Sequence, residues 1–142
     1  MKKIVFMGTP LFAVPILKSI FSKGYNIPLV YTQPPSKSNR GHKVSKSPIH
    51  KFCEENNLKV RTPENFKNLD DEKNILKKLD ADIAIVVAYG QILPKGILHV
   101  CKKGFINIHA SLLPKLRGAA PIQRSIMNLD NETGISLSLI HI

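Results

Sequence analysis

The chain has 142 residues, 43% of them hydrophobic, and a formal net charge of +11 at pH 7. These values indicate one globular domain with a sizeable core, and no apolar run approaches the roughly 20 residues of a membrane-spanning helix. The two cysteines, Cys53 and Cys101, lack metal-ligand or C-x-x-C spacing. We therefore expect inert thiols in a reducing cytoplasm, and no bound metal.

The charges are unevenly distributed along the chain. No acidic residue precedes Glu54, most of the acids lie between Glu54 and Asp82, and none lies between Asp82 and Asp130. Two basic, acid-free blocks therefore flank one mixed block. This layout is expected either from solvated surface lysines or from blocks that face a polyanion such as nucleic acid.

The beginning of the chain alternates strand and helix patterns. Residues 3–7 predict a buried strand, residues 11–22 a helix that ends at Gly24, and residues 27–32 a second strand. The turn between the first strand and the helix lacks a G-x-G-x-x-G motif, which weighs against a nicotinamide cofactor.

Residues 33–48 have little apolar content and many turn-forming residues, so we expect a long exposed loop. The loop contains no acid and four basic side chains, which are Lys37, Arg40, Lys43 and Lys46. Arginine can bind phosphate bidentately, whereas lysine acts as a point charge. The segment is therefore either a basic loop without a partner or a surface for nucleic acid.

The middle of the chain continues the alternation. Residues 49–56 predict a short helix, residues 58–61 a strand, and residues 70–79 a helix whose charges form a solvated face. Residues 82–88 are almost continuously apolar and predict a buried strand, and residues 92–100 predict another short helix. Strands that alternate with helices indicate a parallel α/β sheet.

A polar pair, Asn107 and His109, lies near the carboxyl end of the next predicted strand, residues 105–109. Side chains alternate along a strand, so the pair shares one face at a separation of about 7 Å. Open α/β sheets bind ligands at this edge. An amide can donate to a developing oxyanion and a histidine can transfer a proton, which fits acyl transfer to an amine. The alternative is a core histidine beside a turn-forming asparagine.

Asn107 and His109 lie at the start of a longer motif. Residues 107–118 read Asn-Ile-His-Ala-Ser-Leu-Leu-Pro-Lys-Leu-Arg-Gly, which resembles the signature of the 10-formyltetrahydrofolate-dependent formyltransferases. Residues 119–124, Ala-Ala-Pro-Ile-Gln-Arg, resemble the methionyl-tRNA formyltransferase branch. Shorter upstream matches occur in the family's order at residues 6–10, 31–34, 40–43, 47–48, 86–90 and 93–94. Pro114 and Gly118 also predict a loop, and Pro121 predicts the start of a helix over residues 121–128.

The resemblance implies a Rossmann-like open, mostly parallel sheet flanked by helices. It implies transfer of a formyl group from 10-formyltetrahydrofolate to the α-amino group of methionyl-tRNA, for translation initiation. Asn107 would hold the formyl oxygen, and His109 would act as acid and base. The folate site would include the backbone and side chains of Ser111, Leu112, Leu113 and Pro114.

Two further regions acquire roles from the resemblance. Tyr89 and Gly90 would line the pterin pocket, although they also fit an ordinary turn after a strand. The loop side chains Lys37, Arg40, Lys43 and Lys46 would contact the tRNA. Arg117 would meet the folate tail or an RNA phosphate, or it is a surface arginine.

The end of the chain departs from the family pattern. The family continues into a Gly-Leu-Asp-x-Gly-Asp loop whose first aspartate is catalytic, whereas this chain reads Leu-Ser-Leu-Ile-His-Ile over residues 137–142. We therefore expect residues 1–142 to form a partial catalytic domain, incomplete at its C-terminus and without the family's C-terminal β-barrel tRNA-binding domain.

Without that aspartate, His109 would lose its orienting partner, so we expect impaired activity. The alternatives are a non-catalytic remnant, an RNA-binding fragment, or a formyltransferase for a small amine. The Arg40 loop and residues 119–124 weigh against a small amine. We expect a monomer for the full-length family, whereas this shorter chain could associate.

Overall fold

The computed structural model describes residues 2–38, 43–110 and 134–140, together with residues 117, 122, 127 and 128. The strands in these ranges are β1 (Lys3–Gly8), β2 (Asn26–Tyr31), β3 (Ser36–Ser38), β4 (Lys43–Ser45), β5 (Val60–Arg61), β6 (Ile83–Val87), β7 (Phe105–His109) and β8 (Ser136–Leu139). The α-helices are α1 (Val14–Ser22), α2 (Pro48–Glu55) and α3 (Leu69–Leu79), and short 3-10 turns occupy Leu11–Ala13 and Lys95–Ile97.

Six strands form one open sheet in the order β5-β2-β1-β6-β7-β8. The first five of these strands run parallel, and β8 pairs antiparallel with β7. In β1, every residue from Ile4 to Gly8 is buried. Continuous burial is expected when both faces of a parallel sheet are covered. The predicted mostly parallel, helix-flanked sheet is therefore confirmed.

Two hydrophobic clusters cover the two faces of the sheet. On the first face, α3 and the Lys95–Ile97 turn pack against residues that include Met7, Val86 and Phe105. On the second face, α1 and α2 pack against residues that include Phe6 and Val87. Neighbouring residues of one strand enter opposite clusters because side chains alternate across a strand.

The start of α2 is fixed by its sequence. Ser47 precedes the helix in an extended conformation, and its Oγ accepts a hydrogen bond of 3.0 Å from the backbone N of His50. Pro48 occupies the first helical position, where its lack of an N–H has no cost. The Ser47 hydroxyl also lies 2.6 Å from the Thr32 hydroxyl, which ties this helix to the end of β2.

The helix predicted over residues 92–100 is wrong, because this stretch forms only the 3-10 turn Lys95–Ile97. Pro94 precedes the turn with φ −70° and ψ 153°, which is extended backbone. A proline has no N–H for a helical hydrogen bond, so no helix runs through this position. Ile92 is left 92% exposed in front of it.

The long exposed loop predicted over residues 33–48 contains two short strands that were not predicted. Strands β3 and β4 pair antiparallel, with Lys37 opposite Val44. The predicted strand over residues 58–61 is shorter than expected and comprises only Val60–Arg61. The helix predicted over residues 121–128 lies largely outside the described residues.

The charges of α3 do not all face solvent. Asp70 and Asp71 are exposed, but Glu72 is only 5% exposed. Glu72 shares the inner face of the helix with Leu76, one turn later, so the expected solvated face is wrong at this residue. Across the ranges that the structure describes, no helix has the length and apolar character to span a bilayer.

Candidate active site

The carboxyl ends of β1, β6 and β7 meet at one edge of the sheet. Gly8 lies opposite Val87, and Val86 lies opposite Asn107. The residues that follow β1 and β6 therefore lie beside the polar end of β7. This is the edge at which open α/β sheets bind ligands.

Asn107 and His109 lie on one face of β7, and both are half-buried. Asn107 pairs with Ser138 and His109 pairs with Ser136 across the antiparallel β8 ladder. Directly opposite residues of paired strands share a face. The structure therefore places two polar side chains of β7 next to two serines of β8, at the end of a face that is apolar below Asn107.

The turn after β6 has an unusual backbone. Ala88 adopts a positive φ of 49° and Gly90 one of 89°, with the buried Tyr89 between them. A left-handed conformation costs a non-glycine residue about 1–2 kcal/mol. Such conformations persist where surrounding contacts fix them, and they concentrate at functional sites.

Contacts from neighbouring strand ends hold this turn. The Thr9 hydroxyl donates to the Tyr89 carbonyl oxygen at 2.8 Å and accepts from the Gln33 backbone N at 3.2 Å. Gln91 Nε2 donates to Gln33 Oε1 at 3.0 Å and to the Pro63 carbonyl oxygen at 2.7 Å. The turn is thus connected to the segments after β1, β2 and β5.

A polar network lies beneath the turn. The buried Tyr31 hydroxyl donates to Glu72 Oε2 at 2.7 Å, and Arg61 binds the same carboxylate with Nη2 to Oε1 at 2.7 Å. Desolvation by burial acts to raise the pKa of Glu72, but the hydrogen bonds from Arg61 and Tyr31 outweigh it, so the pKa is lowered. Burial and the Glu72 carboxylate raise the pKa of Tyr31.

Aromatic rings connect this network to the turn. The Phe66 ring lies 6.4 Å from the Tyr31 ring and 6.3 Å from the Tyr89 ring, the second pair in an edge-to-face arrangement. Burial, with the Glu72 charge, also raises the pKa of Tyr89. The buried Tyr89 ring, in contact with Phe66, therefore supports the turn from the core.

Among the described residues, the basic side chains predicted to bind tRNA do not form one cluster. Lys37 and Lys43 are both exposed, but Lys37 shares its face of the hairpin with Val44, so Lys43 belongs to the other face. Lys46 forms an ion pair with Glu54 of α2. Arg40 lies outside the described residues.

Some of the residues predicted for the folate site lie within the described ranges, and others lie outside them. Tyr89 is buried and Gly90 is exposed at the sheet edge. Arg117 is exposed. Four further predicted residues lie outside the described ranges, namely Ser111, Leu112, Leu113 and Pro114.

Sequence reasoning assigned no role to Thr9 or Gln33. Both lie in short segments that carry the family resemblance, residues 6–10 and 31–34. That resemblance is the sequence feature that could have pointed to a role for them. Their contacts join segments that are distant in sequence, so no local pattern predicts them.

The geometry can be compared with known proteins. A family model described as formyl transferase matches residues 1–141. The chain belongs to the formyl transferase family. The sheet edge described above is therefore part of a formyl transferase fold, in a family of enzymes that transfer formyl groups.

Two relatives within this family are methionyl-tRNA formyltransferases. The chain is 66% identical over 139 residues to a methionyl-tRNA formyltransferase of Pelagibacter ubique, covering 98% of this chain and 45% of that protein. It is 49% identical to the methionyl-tRNA formyltransferase of Paramagnetospirillum magneticum, covering 95% of this chain and 44% of that protein. The chain thus spans less than half the length of these relatives.

The fold also matches solved structures of low sequence identity. The crystal structure of phosphoribosylglycinamide formyltransferase from Bacillus halodurans superposes with a TM-score of 0.77 at 17% identity, covering 99% of this chain and 72% of that chain. At this identity the match supports the fold alone.

Proposed function

We propose that this chain carries the formyl-transfer site of a methionyl-tRNA formyltransferase, with 10-formyltetrahydrofolate as donor and the α-amino group of methionyl-tRNA as acceptor. The observation that carries the proposal is the shared face of Asn107 and His109 at the ligand-binding edge of a formyl transferase fold. The 66% identity to a methionyl-tRNA formyltransferase supports this acceptor. Residues 1–142 would then be part of a catalytic domain.

Asn107 and His109 have complementary chemical roles in this proposal. The Asn107 side-chain amide would donate a hydrogen bond to the oxygen on which negative charge develops when an amine attacks a formyl group. His109 would accept the proton that the neutral attacking amine loses and donate it to the leaving nitrogen. Both side chains are half-buried, so they can reach a ligand and are only partly screened by water.

The turn after β6 is suited to a flat heterocyclic ligand. Gly90 is exposed, so a ring can approach its backbone on the side that the Gln33 amide leaves open. Gln91 Oε1 is buried and has no hydrogen-bond partner among the described residues, which leaves one acceptor unsatisfied. When bound, 10-formyltetrahydrofolate supplies the formyl group. Tyr89 and Gly90 would hold its pterin, with Ser111, Leu112, Leu113 and Pro114 as further candidates.

The hairpin of β3 and β4 would meet the tRNA. Lys37 and Lys43 point to opposite faces of this thin ribbon, which would suit insertion between two phosphate-bearing strands better than lying flat on one. Lys46 is less available, because its ammonium group is already paired with Glu54. Arg40 belongs to the same segment and is a further candidate for phosphate binding.

The test is formyl transfer from 10-formyltetrahydrofolate to methionyl-tRNA by the purified chain. We expect Asn107→Ala to reduce turnover by about 10²–10³-fold, the usual loss for one oxyanion donor. Asn74→Ala is the matched control, because Asn74 is exposed on α3. Turnover by Asn107→Ala equal to the control would refute the assigned role. Transfer to glycinamide ribonucleotide but not to methionyl-tRNA would refute the acceptor.

The RNA contact has its own test. Binding of tRNA to the chain is measured over a series of salt concentrations. Removing two phosphate contacts with Lys37→Ala plus Lys43→Ala should weaken binding and reduce the slope against log salt by about 1.4–1.8. Lys18→Ala plus Lys23→Ala removes the same charge from two exposed residues at α1. Equal effects of the two pairs would indicate non-specific attraction.

A further inference from the structure

The turn Ala88–Gln91 is held by two side chains from other segments. Thr9 connects to it through the 2.8 Å bond from its hydroxyl to the Tyr89 carbonyl oxygen. Gln33 connects to it through the 3.0 Å bond that its Oε1 accepts from Gln91 Nε2. Thr9 and Gln33 are also bonded to one another, because the Gln33 backbone N donates to the Thr9 hydroxyl at 3.2 Å.

Gln33 also lies directly against Gly90. A Cβ atom added at Gly90 would stand 2.7 Å from Gln33 Nε2, which is closer than real contacts allow. The Gln33 amide therefore packs on the bare backbone of the turn, at the residue with φ 89°. The orientation of this amide is fixed, because its oxygen accepts from Gln91 and its nitrogen faces Gly90.

These contacts lie at the surface edge of the site and not in the core. Thr9 and Gln33 are partly exposed, and Ala88 and Gly90 are exposed. The buried contacts of Tyr89 with Phe66 already anchor the turn to the core. The ring contact holds the Tyr89 side chain, whereas the hydrogen bonds of Thr9 and Gln33, with the one from Gln91 to the Pro63 carbonyl oxygen, restrict the direction of the turn.

We propose that Thr9 and Gln33 are positioning residues that hold the Tyr89–Gln91 backbone in the conformation that receives the folate co-substrate. The inference rests on the proposed function, because it assigns the held backbone to the donor's ring. A preformed turn spares the ligand the cost of ordering it, so the two side chains act on affinity for the donor and leave the chemistry at Asn107 unchanged.

The experiment measures binding of tetrahydrofolate to the full chain by calorimetry, together with amide hydrogen exchange of residues 88–91 without ligand. Thr9→Val keeps the side-chain shape but removes the hydroxyl that makes both bonds. We expect its Kd to rise about tenfold, which corresponds to about 1.4 kcal/mol, and the exchange to accelerate. Thr9→Ser restores the hydroxyl and should return both values to those of the wild-type chain.

The matched control is Thr32→Val. Thr32 directly follows β2, as Thr9 directly follows β1. Its valine variant also loses a hydroxyl hydrogen bond, but that bond goes to Ser47 at the start of α2. We expect this variant to lose some stability and to keep the wild-type Kd. Equal rises in Kd for Thr9→Val and Thr32→Val would overturn the inference, because they would indicate a general loss of stability.

The remaining outcomes are also decisive. A wild-type Kd in Thr9→Val overturns the positioning role while leaving the proposed function intact. Failure of the wild-type chain itself to bind tetrahydrofolate overturns the donor assignment and, with it, this inference. If Thr9→Val does not fold, Gln33→Ala replaces it. That variant removes the Gln91 bond and the contact with Gly90, and it should also raise the Kd about tenfold.

Discussion

Removal of the Tyr31 hydroxyl should measurably destabilise the chain. The hydroxyl is fully buried and donates to the Glu72 carboxylate at 2.7 Å. A hydrogen bond to a charged group contributes about 1.5–3 kcal/mol. Arg61 still binds the carboxylate in Tyr31→Phe, so no charge is left unpaired and the lower part of that range applies. We expect a loss of about 1.5–2 kcal/mol.

The assay is urea unfolding at pH 7, with the same experiment on Tyr25→Phe as the control. Tyr25 is 43% exposed, so its variant should change the free energy of unfolding by less than about 0.5 kcal/mol. A loss in Tyr31→Phe no larger than in Tyr25→Phe would refute the reasoning, because it would mean that the buried bond is replaced without cost.

The pH dependence gives a second check on the same bond. The folded-state pKa of Glu72 is lowered, so its carboxylate contributes stability that is fully present above the unfolded pKa. That contribution is lost as the pH falls through the folded pKa. The stability difference between the wild-type chain and Tyr31→Phe should therefore narrow in acid, because a protonated Glu72 is only a neutral acceptor.

Three further outcomes are expected. In urea unfolding, Gly90→Ala should lower the free energy of unfolding by about 1 kcal/mol more than Gly24→Ala does. Both glycines have a positive φ, but only at Gly90 would the added methyl group collide with a hydrogen-bonded amide, that of Gln33. Cys53 and Cys101 should stay unreactive toward a disulfide reagent at pH 8 until the chain is unfolded. Burial raises the pKa of Cys53 to about 12, and burial with a nearby carboxylate raises the pKa of Cys101 to about 11. Ser47→Ala should lower the thermal midpoint by the equivalent of about 1 kcal/mol, since it removes the cap of α2.

The parts of the fold that follow a repeating pattern were predictable. Residues 4–7 of β1 and all of β6 are continuously apolar, and α1 has apolar residues on one face, so their type and place follow from local sequence. The prediction of a helix over residues 92–100 was wrong because of one proline. Buried Leu93, Ile97 and Leu98 have helical spacing, but Pro94 stops the helix between them.

The parts that depend on distant contacts were not predictable. The sequence Ser-Lys-Ser of β3 contains no β-branched or aromatic residue that would predict a strand, and the strand is defined by its pairing with β4. The residues next to Glu72 in sequence predict a surface acid, but its burial depends on Tyr31 and Arg61, which lie on strands β2 and β5. In the site, Asn107 and His109 were predictable from alternation in one strand, whereas the contacts of Thr9 with the turn at Tyr89 required the folded chain.

The position of β1 in the sheet has a consequence for synthesis of the chain. β1 is made before the other five strands of its sheet, yet it lies between β2 and β6, so one of its edges stays unpaired until Ile83–Val87 is made. At about 5–20 residues per second, a ribosome adds the intervening residues in roughly 4–16 s. During that time an apolar strand with an unpaired edge is accessible to other nascent chains. The order of synthesis thus makes early occupancy by a chaperone useful to this protein.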